Sequence, residues 1–306
     1  MRSHFFSKLL GLLLRGSWFV KTRLHTLANH IVNATWFLYG MAVRDSVPKL
    51  HCFTLSTAHK PLRMLLNRPG YLEDSIIKYG GWEPHIAQTL LFFMPENGVF
   101  VDVGSNIGYH TLFVACSMPQ AKVFSFEPNP SVREELLKNA HVSNVTNVVI
   151  HATALSDHIG TAQFFAQSAN SYNRGISSIK RNSNIGQRFE AITVEVSTLD
   201  TVLAGKEKID VIKIDTEGLE LQVLRGARRI LAESNPLILF EFEAAFFKDP
   251  LVAIHELAEI LSDYSIYKLD DSSSELQIFN FKETLGYSFH GDLVAMPKLR
   301  SDVRIV

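Results

Sequence analysis

Cysteine is scarce: Cys52 and Cys116 are the only two. That excludes a disulfide framework and suits a reducing, cytoplasmic compartment. Net charge is scarce too, at −1, so no global field draws the chain to nucleic acid or to a membrane. No apolar run reaches the roughly 18 residues of a transmembrane helix. The short apolar core near the start is followed by no small-residue cleavage site, so a secretory signal fits poorly. Internal repeats, zinc-ligand spacing and a nucleophile elbow are all missing. Asn33-Ala34-Thr35 and Asn144-Val145-Thr146 match a glycosylation pattern that arises often by chance. The strict G-x-G-x-x-G of dinucleotide binders is also missing, because Gly104 is followed by Gly108 with none at the intermediate position. This disfavours a nicotinamide dehydrogenase.

What is present centres on residues 99–111. Val99-Phe100-Val101-Asp102-Val103 reads as a strand buried on both faces. It turns through Gly104, Ser105, Asn106 and Gly108 into an apolar helix. Glycine there admits unusual dihedrals and close approach of a ligand, and the free N–H groups of the helix start face that ligand. Many doubly wound domains carry such a turn for packing alone. A second buried strand, 122–127, ends in Glu127, about 20 residues beyond the turn, where an acid takes ribose hydroxyls. Asp102 at the mouth of the turn would repel a pyrophosphate. It favours a cofactor with cationic groups, such as the amine and sulfonium of S-adenosylmethionine.

Strands and helices alternate from residue 99 onward, predicting an α/β fold with a mostly parallel sheet and helices on both faces. We expect strands at 99–103, 122–127 and 147–152 and helices at 107–117 and 131–140, with Ser131 and Glu134 as a capping box. The loop 152–157 should border the adenine, its backbone at Ala154 and Leu155 reading the base edge, with Asp157 a lesser contributor. Residues 161–165 and 191–196 alternate as a hairpin. Between them, the polar stretch 167–189 with Arg174, Lys180 and Arg181 is a candidate lid, or else a solvated surface. The strand 209–215 ends in Asp215-Thr216-Glu217-Gly218, followed by a helix face of Leu221, Leu224, Ala227 and Leu231.

Two carboxylates at a strand end are costly to gather unless something cationic or protic binds there. Asp215 is therefore the candidate on the acceptor side. It either removes the acceptor's hydroxyl proton, directly or through water, or only orients that hydroxyl while proximity does the rest. Glu217 either orients Asp215 or contacts the cofactor's amine. The same acids also read as a helix start with carboxylates at its positive end. Glu241 and Glu243 share one face of the next strand, 236–243, and with Asp215 could form an oxygen-rich magnesium site; our assignment is no metal. A helix at 251–262 and strands near 264–269 and 290–296 complete the sheet. Of the histidines, His110 merits testing because it follows the glycine turn directly.

The runs D-V-G-S-N-I-G-Y-H-T at 102–111, F-E-P-N-P at 126–130, D-V-I-K-I-D-T-E-G-L-E at 210–220 and L-R-G-A at 224–227 resemble the FkbM family of S-adenosylmethionine-dependent methyltransferases. The likeness extends over residues 80 to 297. It implies a class I, Rossmann-like, seven-stranded sheet and methyl transfer to a hydroxyl of a sugar, glycolipid or polyketide-type small molecule. It implies that 175–178 closes over the acceptor, and that Glu83 touches cofactor or acceptor; as a first-turn carboxylate, Glu83 equally suits the helix dipole. The partners expected are a small-molecule or glycan acceptor and no nucleic acid. A different class of reading is a cofactor-binding protein without turnover, recruited to a membrane or glycan assembly.

Residues 1–44 carry Arg2, Lys8, Arg15, Lys21, Arg23 and Arg44 with no acid, and Phe6, Leu9, Leu10, Leu13 and Leu14 recur at helical spacing. They read as a basic amphipathic segment that either contacts a membrane peripherally or packs on the catalytic domain. We divide the chain into a helical extension, 1–80, and a methyltransferase domain, 81–306, with short helices expected at 61–67 and 83–94.

Overall fold

The structure is a computed structural model that describes residues 50–167, 189–205, 207–271, 274–279 and 289–298. The basic segment 1–44 and the lid candidate with Arg174, 175–178, Lys180 and Arg181 lie outside the described residues.

The sequence's apolar runs assemble as one eight-stranded sheet. Its strands are β3 (Val99–Val103), β4 (Lys122–Phe126), β5 (Val148–His151), β9 (Val211–Ile214), β10 (Leu237–Glu243), β11 (Tyr264–Leu269), β12 (Leu276–Ile278) and β13 (His290–Pro297). Their order is β12-β11-β13-β10-β9-β3-β4-β5. The pairs β10/β9, β9/β3, β3/β4 and β4/β5 are parallel, and β13 runs against both β10 and β11. The expected seven strands are present, and the three-residue β12 adds an edge against β11. The chain leaves β3 toward β4 and β5, then returns to the other side of β3 as β9. That reversal opens a crevice at the carboxyl ends of β3 and β9, where open α/β sheets hold ligands.

Side-chain alternation assigns the two faces. Val101, Val103, Ile212, Ile214, Ile238 and Phe240 pack on one side with the helical residues Leu221, Leu224, Ile254 and Leu257. Phe100, Val123, Val211, Leu237 and Leu239 pack on the other with Ile86, Leu90 and Val114. One step further along those strands, the second face presents Asp102 and Lys213, which stand opposite each other in the β3/β9 register. The charged rung thus caps an apolar face.

The helices on this second side are α2 (Pro84–Phe93) and α3 (Tyr109–Ser117), preceded by α1 (Tyr71–Tyr79). Next comes α4 (Pro130–Val142), capped by Asn129, whose side chain accepts from the Ser131 N–H. The capping box expected from Ser131 and Glu134 is therefore corrected. Pro130 occupies the first helical position, which makes Asn129 the cap, and Glu134 pairs with Lys138 one turn on. After a short α5 (Leu199–Val202), the face expected over 221–231 is two helices, α6 (Glu220–Arg225) and α7 (Arg228–Ser234). The helix at the end is α8 (Pro250–Ile260).

The helix expected at 61–67 is a strand. β1 (Leu50–Leu55) and β2 (Leu62–Asn67) form an antiparallel hairpin, with Leu62, Met64 and Leu66 buried and Arg63 and Asn67 exposed. These three share a core cluster with Ile76, Ile107, Leu112 and Leu136, so from Leu50 onward the supposed helical extension contributes two strands and α1. The predicted hairpin is present as β7 (Gly160–Gln167) against β8 (Phe189–Ser197), with β6 (Ala154–Leu155) on the far side of β8. Among the described residues, no helix is long and apolar enough to cross a membrane.

Candidate active site

The loop after β3 is fastened to β4 by its own polar atoms. Ser105 Oγ donates to the Asp102 carbonyl (2.9 Å) and accepts from the Phe126 N–H (3.0 Å) and the Ser125 hydroxyl (2.7 Å). The hydroxyl is thus engaged within the protein. Gly104 sits at φ +84°, and a Cβ there would lie 1.8 Å from the Asp215 carbonyl oxygen. Only glycine lets the β3 and β9 loops meet this closely. Gly108, at φ +92°, stands at the start of α3. It does not line the cavity, and a Cβ there would lie 2.2 Å from Leu136, so it seats α3 against α4.

Glu127 braces the second loop. Its carboxylate accepts from the N–H groups of Asn106 (3.0 Å) and Asn129 (2.8 Å). Burial pushes its pKa up to about 7, with the two amide donors and Arg133 opposing the shift. The Asn106 side chain caps the following Ile107 N–H. Asp102 is 1% exposed; Oδ2 accepts from Thr111 (2.5 Å), while Oδ1 has no partner among the described residues.

These residues line one cavity of about 510 Å³, within the ordinary range for ligand sites. Asp102, Gly104, Ser105, Asn106 and Glu127 lie on its wall with Ala154 and Leu155, and so do Asp215 and Glu217. The sequence candidates are thereby brought together, apart from Gly108 and Asp157. Asp157 forms an ion pair with Arg225 (3.0 Å) and bonds His158 (3.1 Å). Part of the backbone at Ala154 and Leu155 is engaged by β8 in the small sheet.

The β9 end of the cavity is more highly charged than the sequence suggested. Lys213, buried, donates to Asp215 Oδ2 at 2.9 Å. Burial would lower its pKa, but Asp215, Asp102 and Glu83 outweigh burial and hold the ammonium protonated. Glu220 braces the turn after Asp215, accepting from the Thr216 N–H (3.1 Å), the Thr216 hydroxyl (2.9 Å) and the Gly218 N–H (3.1 Å). That turn holds Glu217 at φ +56°. Burial, then the carboxylates of Asp215, Glu220 and Glu243, push Glu217 up to about 8, against the pull of Lys213. Glu241 is also raised, by burial and then by Asp215, Glu217, Asp292 and Glu220. The exposed imidazole of His290 lies 2.8 Å from the Glu243 carboxylate. On the far wall Glu83 starts α2 and bonds His110 Nε2 at 2.9 Å, while His110 Nδ1 is buried without a partner among the described residues.

Sequence reasoning misses Lys213 and Glu220. The signal for Lys213 is a lone cation inside the apolar run V-I-K-I, which demands a counter-ion. Asp215, Glu241 and Glu243 do not converge as metal ligands; among the described residues the group that does is His85, Asp271 and Asp292, with Asp271 exposed.

The raised acids set a pH dependence. Glu127 and Glu217 stand at about 7 and about 8 when folded, against an ordinary 4.5. Their contribution to stability is complete below about 4.5 and is lost as pH rises through 7 to 8. The thermal midpoint of the ligand-free protein should therefore fall between pH 6 and pH 9, as scanning fluorimetry would show. A flat or rising profile would contradict these assignments.

The sheet order, with an antiparallel strand inserted beside β10 and a glycine turn after β3, defines a class I methyltransferase fold. The particular family follows from comparison: the model of the methyltransferase FkbM domain matches residues 102–267, more than half of the chain, and the chain belongs to that family. It is 31% identical over 191 residues to the hexuronic acid methyltransferase AglP of Haloferax volcanii, covering 61% of this chain and 73% of that one. It is 28% identical over 159 residues to methyltransferase sdnD of Sordaria araneosa, covering 44% and 61%. It is 25% identical over 147 residues to methyltransferase 1 of Beauveria bassiana, covering 43% and 59%. The chain thus spans about three-fifths of the length of those two fungal relatives. A solved FkbM methyltransferase from Methylobacillus flagellatus aligns at TM-score 0.42 and 17% identity, over 65% of this chain and 44% of that one.

Proposed function

We propose that this protein is an S-adenosylmethionine-dependent O-methyltransferase acting on a hydroxyl of a sugar, glycolipid or polyketide-type small molecule. The observation that carries the reading is one cavity walled at the β3 and β4 ends by Asp102 and Glu127 and at the β9 end by Asp215 and Glu217. The cofactor fits the first half on its chemistry. Asp102 Oδ1 is a buried carboxylate oxygen without a partner among the described residues, suited to an ammonium donor, and Glu127 keeps further lone pairs for hydroxyls. When bound, the cofactor supplies an electrophilic methyl group on a sulfonium. Asp215, steadied by Lys213, then orients the acceptor hydroxyl and takes its proton. The relation to a hexuronic acid methyltransferase supports a sugar acceptor.

Calorimetry with S-adenosylmethionine and its demethylated product tests the first half of this reading. Saturable heat with both, reduced at least about tenfold in affinity by Asp102→Asn, is the expected result. A folded sample that binds neither would end it.

A further inference from the structure

His110 lies on the cavity wall in the first turn of α3, directly after the glycine turn, and is 5% exposed. Its Nε2 stands 2.9 Å from the Glu83 carboxylate. A carboxylate only accepts hydrogen bonds, so the ring proton sits on Nε2 and Nδ1 is left as a bare lone pair. Nδ1 is itself buried and has no partner among the described residues. A buried acceptor left unmet is costly, so this nitrogen calls for an N–H or O–H from whatever fills the cavity. Of the donors expected there, the ribose hydroxyls belong with Glu127 and the adenine amine with Ala154 and Leu155, past the ends of β4 and β5. His110 stands toward the other side of β3. Its partner Glu83 shares a small cleft with Lys213 and Asp215 of the β9 end and acts on the Lys213 ammonium. There the acceptor's hydroxyl goes to Asp215, which leaves the cofactor's ammonium. That group is placed against Asp102, and Asp102 is fastened to α3 through Thr111 (2.5 Å), the residue next to His110. An ammonium carries three N–H donors, so one spent on Asp102 leaves two.

We infer that His110 is a further cofactor-binding residue, whose Nδ1 accepts a hydrogen bond from the ammonium of S-adenosylmethionine while Glu83 holds Nε2. This rests on the reading that the cavity takes that cofactor, and it adds a residue to the cofactor's amino-acid end. A hydrogen bond from a charged donor is worth more than one between neutral groups, so the contact should be visible in affinity. A ring protonated on both nitrogens would instead donate from Nδ1, and would suit the cofactor's carboxylate. The two arrangements differ in which group of the amino-acid end His110 serves, and that difference can be measured.

The test uses the full chain and two ligands, S-adenosylhomocysteine and an analogue of it that lacks only the amino group, each titrated by calorimetry. The ratio of the two affinities isolates the amine, and binding of the analogue reports that a variant is folded. His110→Gln still reaches Glu83 with its amide but has no acceptor at the Nδ1 position. His110→Asn keeps an amide oxygen near that position and falls short of Glu83. The ratio should fall about tenfold in His110→Gln and stay within about threefold of the parent in His110→Asn. A merely structural need for the Glu83 contact predicts the reverse order. Should His110→Gln not fold, His110→Leu, which lacks both ring nitrogens, should show the same fall. A fall of less than about threefold in the variant without the acceptor, or one as large in His110→Asn, would overturn the inference. So would an equal loss of both ligands, which would put His110 against the carboxylate. If the folded parent binds neither ligand, the cofactor reading falls and takes this inference with it. If the parent binds both and the ratio does not respond to His110, the inference falls alone and the cofactor reading stands.

Discussion

Asp215→Asn is expected to slow methyl transfer by about 100- to 10,000-fold, the usual contribution of a positioned proton acceptor. Cofactor affinity should stay within about threefold. Asn keeps the shape of the side chain and, through its amide oxygen, an acceptor for the Lys213 ammonium that now lies 2.9 Å from Oδ2. What it loses is the capacity to take a proton from a hydroxyl. The comparison separates the two roles the sequence left open. If Asp215 accepts the proton, kcat falls steeply and KM moves little. If it only orients the hydroxyl, the amide oxygen still serves and the loss stays within about tenfold, as expected when proximity and alignment carry the reaction. Transfer from labelled cofactor in single-turnover mode reads the chemical step directly. A wild-type rate in this variant would remove Asp215 from the chemistry altogether. Glu217→Gln should cost less, because Glu217 stands on the turn beside Asp215 and not against the buried ammonium.

The β3 and β9 runs were legible because strands buried on both faces write themselves as continuous β-branched and aromatic stretches. Of the residues lining the β3 end of the cavity, Asp102, Gly104, Ser105 and Asn106 lie within a single strand–turn–helix unit, where sequence neighbours are also spatial neighbours. The β9 end was harder for the opposite reason. Glu241 and Glu243, grouped with Asp215 from the sequence only as acids of neighbouring strands, come to the same cavity because β10 pairs beside β9 with Phe240 opposite Ile214. Glu220 and Glu217 look alike in T-E-G-L-E, yet one ties the turn's amides and the other lines the cavity. The strand over Leu62–Asn67 reads as a helix because Leu65, half-buried between inward Met64 and Leu66, blurs the two-residue period. The extra edge strand, Leu276–Ile278, is too short for any period to show.

Lys213→Met should be the most destabilising change to a charged residue in the site, at about 3–5 kcal/mol, the cost of removing one partner of a buried pair. The shape of the lysine stem is kept, so the loss is electrostatic. Asp102 is buried in the adjacent register position, Asp215 is in contact, and Glu83 acts on the same ammonium. Without Lys213 these carboxylates face one another with no other lysine or arginine among the described lining residues. For a domain of this size the midpoint should drop by roughly 10 °C. The deficit should be largest at alkaline pH and shrink as pH falls, because protonation relieves the unpaired acids. Lys213→Met/Asp215→Asn should cost less than the sum of the single changes, since the second substitution removes one of the charges the first left uncompensated. Bound cofactor should restore part of the loss, because its ammonium and sulfonium bring positive charge to the same wall. A Met variant as stable as the parent across pH 6 to 9 would mean the cavity's acids are neutralised by something other than Lys213. The rung of Asp102 and Lys213 would then not be what holds the two halves of the site together.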